Sequence, residues 1–233
     1  NRNVSVDLKV VDPRYSGNIA SDGGYFSGLN KIIYTIKATD TNAVENGVLF
    51  DVSSGKTAGG VLDADNLISS WTGKITIDAA KFNSNNVIVE ITAIDNAGNE
   101  RVTTNDKINE PIQIDVTQPK INISYDNNNV VRDSSFKAER TAKIVVTERN
   151  FRPEDVVIKI TNTDGVIPDV SNWTKTNGTG NLDDTEWTAT IPYTADGDYT
   201  FGIDYTDLAG NRTSGVVYAD GTTAQTEFTI DKT

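Results

Sequence analysis

Apolar residues recur at every second position along much of the chain. Val4, Val6, Leu8 and Val10 fall on one side of an extended segment, with Ser5, Asp7 and Lys9 on the other. That alternation is what a strand with one face on a core produces. Ile32, Tyr34, Ile36 and Ala38 repeat it. The same reading predicts strands over 47–52, 71–77, 87–94 and 112–116, and in the second half over 121–125, 141–147, 155–161, 185–191, 197–205 and 225–230, with a further one around 216–219. Helical periodicity of useful length is nearly absent. Segment 62–68 is read as a short helix, and 152–155 as at most a turn with Pro153 at its start. Many short strands separated by Gly, Asn and Asp turns predict an all-β chain built from two-sheet sandwiches. Trp71 and Trp187 are expected inside, between the sheets.

Several landmarks recur in the same order. Asp95-Asn96-Ala97-Gly98-Asn99 returns as Asp207-Leu208-Ala209-Gly210-Asn211, Trp71-Thr72 as Trp187-Thr188, and Ile114-Asp115 as Ile230-Asp231. Such order implies two related units. Pro119 lacks a backbone donor and biases Gln118 toward extended geometry, which suits a short, stiff connection. The boundary is placed at 118, giving modules 1–118 and 119–233. Lys232-Thr233 corresponds to the start of the next junction, so a neighbouring module is expected to follow. With no Met anywhere and a start at Asn1-Arg2-Asn3, the chain is expected to be an internal segment or a processed product.

Charge and composition narrow the chemistry. The chain has 233 residues and a formal net charge of -12, from 33 acidic and 21 basic residues. A broad positive face for phosphate backbones is therefore not expected, and nucleic acid is not an expected partner. There is no His, Cys or Met, which removes imidazole acid–base chemistry, thiolates and disulfides. No apolar run approaches the length of about 18 residues that a spanning helix needs, so no membrane insertion by a helix is expected.

Candidate sites follow from what remains. The Asp-x-Ala-Gly-Asn motif offers hard oxygen ligands, and Asp95, Asn99 and, at the junction, Asp115 are the calcium candidates. A structural turn is the preferred reading, with Gly98 and Gly210 at positive φ and the Ala tucked into the sandwich end. No cofactor is expected beyond that alternative. Asp183, Asp184 and Glu186, and Asp204 with Asp207, are carboxylate groupings, yet nothing in the pattern supplies a sugar cleft. Ser53 and Lys56 have a nucleophile-like spacing, and Gly55-Lys56-Thr57 the ending of a phosphate loop, but both lie in a Gly-rich loop. Lys143 is the candidate donor for a Lys–Asn isopeptide bond. No catalytic residue is assigned and the chain is not read as an enzyme. For binding, the candidates are aromatics and arginines in polar segments: Trp173, Phe151, Arg149, Arg152, Tyr25 and Phe26, with Tyr15 nearby. Phe151 is read first as a cap on its own core. The insertion 166–184, which carries Trp173, is the first choice for a ligand-contacting loop.

The stretch from Asp196 to Asn211, together with Ile121-Asn122-Ile123-Ser124-Tyr125 and Val146-Thr147-Glu148-Arg149-Asn150-Phe151, resembles the bacterial Ig-like modules found in tandem in large surface proteins of Gram-positive gut bacteria. The resemblance covers nearly all of 119–233. Over 1–118 it rests on the Asp95–Asn99 turn and the junction, and Ala38-Thr39-Asp40-Thr41-Asn42 stands in place of the Thr-Glu-Arg-Asn-Phe segment. It implies an extracellular, cell-surface location and a role as spacer or as binding module for a host protein. Immunoglobulin variable domains, seized outside the antigen site as superantigens do, are among the ligands so implied. Passive stalk modules, and carbohydrate binding on Trp173, are the alternatives.

Overall fold

The computed structural model describes residues 3–12, 27–63, 65–104, 111–178 and 185–233. It divides the chain into two compact units, Asn1–Val116 and Thr117–Thr233, each with its own core.

The first unit contains β1 (Val4–Val11), β2 (Leu29–Ala38), β3 (Ala43–Asp51), β4 (Gly60–Leu62), β5 (Ile68–Ile77), β6 (Ser84–Asp95), β7 (Glu100–Thr104) and β8 (Ile112–Ile114). One sheet has the order β1-β5-β4. The other has the order β3-β2-β6-β7, with β8 also on β6. Ile32, Ile36, Phe50, Ile77, Phe82 and Val87 are fully buried at its centre. Their alternation fixes the register, because a slip of one residue would turn these side chains to solvent.

The second unit contains β9 (Lys120–Tyr125), β10 (Ser135–Phe136), β11 (Arg140–Thr147), β12 (Val156–Asn162), β13 (Thr174–Asn177), β14 (Glu186–Tyr193), β15 (Gly197–Thr206), β16 (Arg212–Ser214) and β17 (Glu227–Ile230). Its sheets run β13-β14-β11-β9 and β10-β17-β15-β12, with β16 added to β15. Both units have the antiparallel, two-sheet make-up of an Ig-like β-sandwich.

The pairing register relates the units residue by residue. In the first, β1 and β5 set Val10 opposite Trp71; in the second, β11 and β14 set Val146 opposite Trp187. Extending both ladders by two residues sets Asp12 opposite Ser69, joined by a 3.0 Å backbone bond, and Glu148 opposite Thr185, joined by one of 2.9 Å. The counterpart of the Val146–Glu148 segment is therefore Val10-Val11-Asp12, at the end of β1. This corrects the placement of that counterpart at Ala38–Asn42, which closes β2 in the opposite sheet.

Further differences have local causes. Segment 62–68 is not helical: Asp63 accepts the amides of Asp65 and Leu67 through Oδ1, and Asn66 takes φ 60°, which turns the chain from β4 into β5. Around 216–219 there is no strand, only isolated bridges from Val217 to Asn122 and Thr223. Pro153–Asp155 is a single 3₁₀ turn. Trp71 is buried and its indole donates to the Ala58 carbonyl at 2.8 Å. Trp187 is only half-buried, packed on the edge of the second core.

Candidate functional site

The second unit gathers its aromatic residues at one end. Phe151 lies beyond the end of β11 and is 8% exposed. Its ring meets Trp173 edge-on at 5.0 Å, stacks on Trp187 at 5.3 Å and leans on Tyr205 at 5.3 Å. Burial pushes the Tyr205 hydroxyl up to about 12, and that hydroxyl accepts the Arg152 amide at 3.1 Å. Phe151 is thus a core residue that carries Trp173 on its outer side.

Trp173 remains half-exposed and walls an open groove of about 510 Å³. Val156 and Ile158 of β12 form the opposite wall, Val170 contributes a further apolar surface, and Ser171 and Asn172 add polar groups. β12 is the edge of its sheet and β13 the edge of the other, so the groove opens at the side of the sandwich where no further strand closes it. Two anchors hold the loop that builds it. Asn162 donates to the Val166 carbonyl at 3.1 Å and accepts the Asp164 amide at 2.8 Å. Ser171 exchanges bonds with Thr190 of β14, donating its amide at 2.9 Å and accepting with its hydroxyl at 2.8 Å. Between these anchors Val166 and Ile167 stand 53% and 50% exposed, which adds apolar surface to the same loop.

The other binding candidates are dispersed. Arg149 is 4% exposed, so its side chain is part of the interior and presents nothing to a partner; the same holds for Phe151. Arg152 is accessible and bridges to Glu154 at 2.9 Å and Asp155 at 3.0 Å. Tyr15, Tyr25, Phe26, Asp183 and Asp184 lie outside the described residues.

The two Asp-x-Ala-Gly-Asn turns are alike. Asp95 receives the Asn99 amide and side-chain Nδ2, each at 2.8 Å. Asp207 receives the same groups of Asn211, again at 2.8 Å each. Gly98 and Gly210 have φ of 86° and 85°, where L side chains are strained. Ala97 and Ala209 are exposed, not tucked into the sandwich; the turn is held by the paired Asp and Asn and needs no apolar anchor. Asp115 follows β8 and is half-buried. Beside each turn sits a second acid that the pattern did not single out. In the first unit burial, and then the charge of Asp95, raise the Asp12 carboxyl above its ordinary range. In the second, the buried carboxylates of Glu148 and Asp207 come within 4.8 Å of one another. Spacing gave no signal for these pairs, because their partners lie more than fifty residues apart.

The remaining motifs serve local structure. Ser53 donates to Asp51 at 2.5 Å and Lys56 donates to the Val48 carbonyl, which ties both into the turn after β3 and not to each other. Lys143 is exposed on the outer face of β11, where it has no access to the core that shields an isopeptide bond. Asp204 is bound by Arg212 at 2.7 Å.

A family model described as a bacterial Ig-like domain matches residues 156–218, from the start of β12 to just beyond β16. No curated protein matches the chain. Domains of this family are typically non-catalytic and usually extracellular. No helix among the described residues is long and apolar enough to cross a membrane.

Proposed function

We propose that the chain comprises two tandem Ig-like modules, 1–118 and 119–233, of a bacterial surface protein, and that the second binds a host protein through the groove at Trp173. The observation that carries this reading is the groove itself: a half-exposed Trp, seated on a buried Phe and flanked by Ile158 and Val170, with polar groups supplied by Ser171 and Asn172. Aromatic anchors in partly desolvated, polar-rimmed pockets are where binding energy concentrates. The match over 156–218 spans the strand and loop that build it and supports an extracellular surface or stalk module. Immunoglobulin variable domains are the first partner to test, on the family resemblance alone.

Calorimetry of the whole chain against antibody Fab fragments is the direct test. Saturable binding that Trp173→Ala weakens by about tenfold or more, with the unfolding midpoint of the unit retained, supports the reading. Failure to bind Fab fragments would remove immunoglobulin as partner. A Fab interaction unchanged by Trp173→Ala would remove the groove. Binding of glycans and not proteins, again dependent on Trp173, would turn the reading into carbohydrate recognition.

A further inference from the structure

The first unit has an open edge where the second is closed. By register, Val4, Val6, Leu8 and Val10 correspond to Arg140, Ala142, Ile144 and Val146. In the second unit β9 lies along the outer side of β11 and sets Tyr125, Ile123 and Ile121 opposite Ala142, Ile144 and Val146, all three of which are 0% exposed. Among the described residues β1 pairs only with β5, and Val6, Leu8 and Val10 remain half-buried. The same ladder position is thus sealed in one unit and unsealed in the other, and the difference is one strand.

The hydrogen-bond phase shows which groups are offered. The Asp12 amide bonds the Ser69 carbonyl, so the even-numbered residues of β1 face β5. Because bonding direction alternates along an antiparallel ladder, the amides and carbonyls of Ser5, Asp7, Lys9 and Val11 point to the free side. Their counterparts Thr141, Lys143, Val145 and Thr147 are the residues of β11 that face β9, as the bond from the Asp126 amide to the Thr141 carbonyl shows. A shallow groove lined by Leu8, Lys9, Thr72 and Gly73 runs beside this row.

We propose that the free edge of β1 is a strand-acceptor site, filled by an extended segment of another polypeptide that lies antiparallel to it. The occupant carries three apolar side chains at alternate positions, opposite Val6, Leu8 and Val10, as Tyr125, Ile123 and Ile121 stand in β9. Backbone bonds to Ser5, Asp7, Lys9 and Val11 supply affinity. The apolar alternation supplies selection, because its side chains complete the core face while polar residues between them stay in water. This site is in the first unit and stands independently of the Trp173 groove.

The test uses the whole chain and a labelled synthetic peptide that copies residues 119–126. Saturable binding is expected by fluorescence anisotropy. Hydrogen exchange should slow at the amides of Ser5, Asp7, Lys9 and Val11. Lys9→Pro removes one outward amide and leaves the ladder to β5 intact, as proline does on the solvent side of an edge strand; it should weaken binding about tenfold or more without shifting the unfolding midpoint. A peptide with Ile121→Asp and Ile123→Asp should not bind, and this control stands even if Lys9→Pro disturbs the fold. The proposal is overturned by absent binding, by equal binding of the acidic peptide, or by protection confined to the second unit. It is also overturned if the chain alone dimerises in sedimentation and Lys9→Pro makes it monomeric, since the occupant is then a second copy.

Discussion

Arg140 is a cation in an apolar interior, 1% exposed. Its guanidinium lies 3.8 Å from the Phe136 ring centroid, 3.9 Å from Tyr125 and 4.6 Å from Phe228. It donates to the Asn127 carbonyl at 2.8 Å, the Gln225 side chain at 3.1 Å and the Asn128 side chain at 3.4 Å. Neutral oxygens and ring faces replace the carboxylate that usually accompanies a buried arginine. Arg140→Ala is expected to cost about 2–5 kcal/mol through the cavity it leaves. Arg140→Met restores the volume but leaves the three acceptors without a donor, and is expected to cost about 1–3 kcal/mol; urea unfolding separates the two. Asp12 is expected to act in the opposite sense. Burial and the neighbouring Asp95 raise its folded pKa, so its stability contribution is full below the ordinary carboxylate range and is lost as pH rises through the folded value. At neutral pH the charge is a cost, and Asp12→Asn should raise the unfolding midpoint of the first unit there, with the advantage vanishing in acid.

At the scale of the strand, β5 shows how a glycine makes room for an indole. Gly73 is two residues from Trp71 on the same face, and a Cβ there would come within 2.2 Å of the Trp71 ring. The ring is fixed by its bond to the Ala58 carbonyl and cannot yield cheaply. Gly73→Ala is expected to destabilise the first unit by about 1–3 kcal/mol, with loss of the buried Trp71 fluorescence as the accompanying sign. Long strands were legible in the sequence because each carries several apolar residues at period two. β4, β7, β10, β13 and β16 were not. β13 reads Thr-Lys-Thr-Asn and is exposed throughout. Such short edges are specified by the neighbour they pair with, and their own side chains carry no alternation to detect.

At the scale of the molecule, the two cores share no residue, so their unfolding should separate. Calorimetry of the whole chain is expected to show two transitions, with Arg140→Ala lowering one and Asp12→Asn raising the other. Alkali should act chiefly on the second unit. Burial raises Tyr125, Tyr193, Tyr199 and Tyr205 above their ordinary value, Tyr205 to about 12. Phenols in the unfolded chain ionise near pH 10. The stability they contribute is therefore complete below about pH 10 and lost as pH rises through the folded values. Loss of the second transition above pH 10, together with a late rise in tyrosinate absorbance, is the expected result. Early titration of all four phenols without unfolding would contradict it.

Apolar alternation in the sequence was sufficient to determine that the chain folds as β-strands around cores, because burial of one face follows from covalent period alone. Recurrence of Trp71 and the Asp95 turn likewise set out a doubled organisation, and glycine at the two turns followed from backbone sterics. Long-range pairing decided the rest. It placed Phe151 and Arg149 inside and left Trp173 at a groove. It put Asp12 beside Asp95 and left β1 with one side unpaired. None of these is encoded in a local window: each depends on which residues, tens of positions apart, the sheets bring into register.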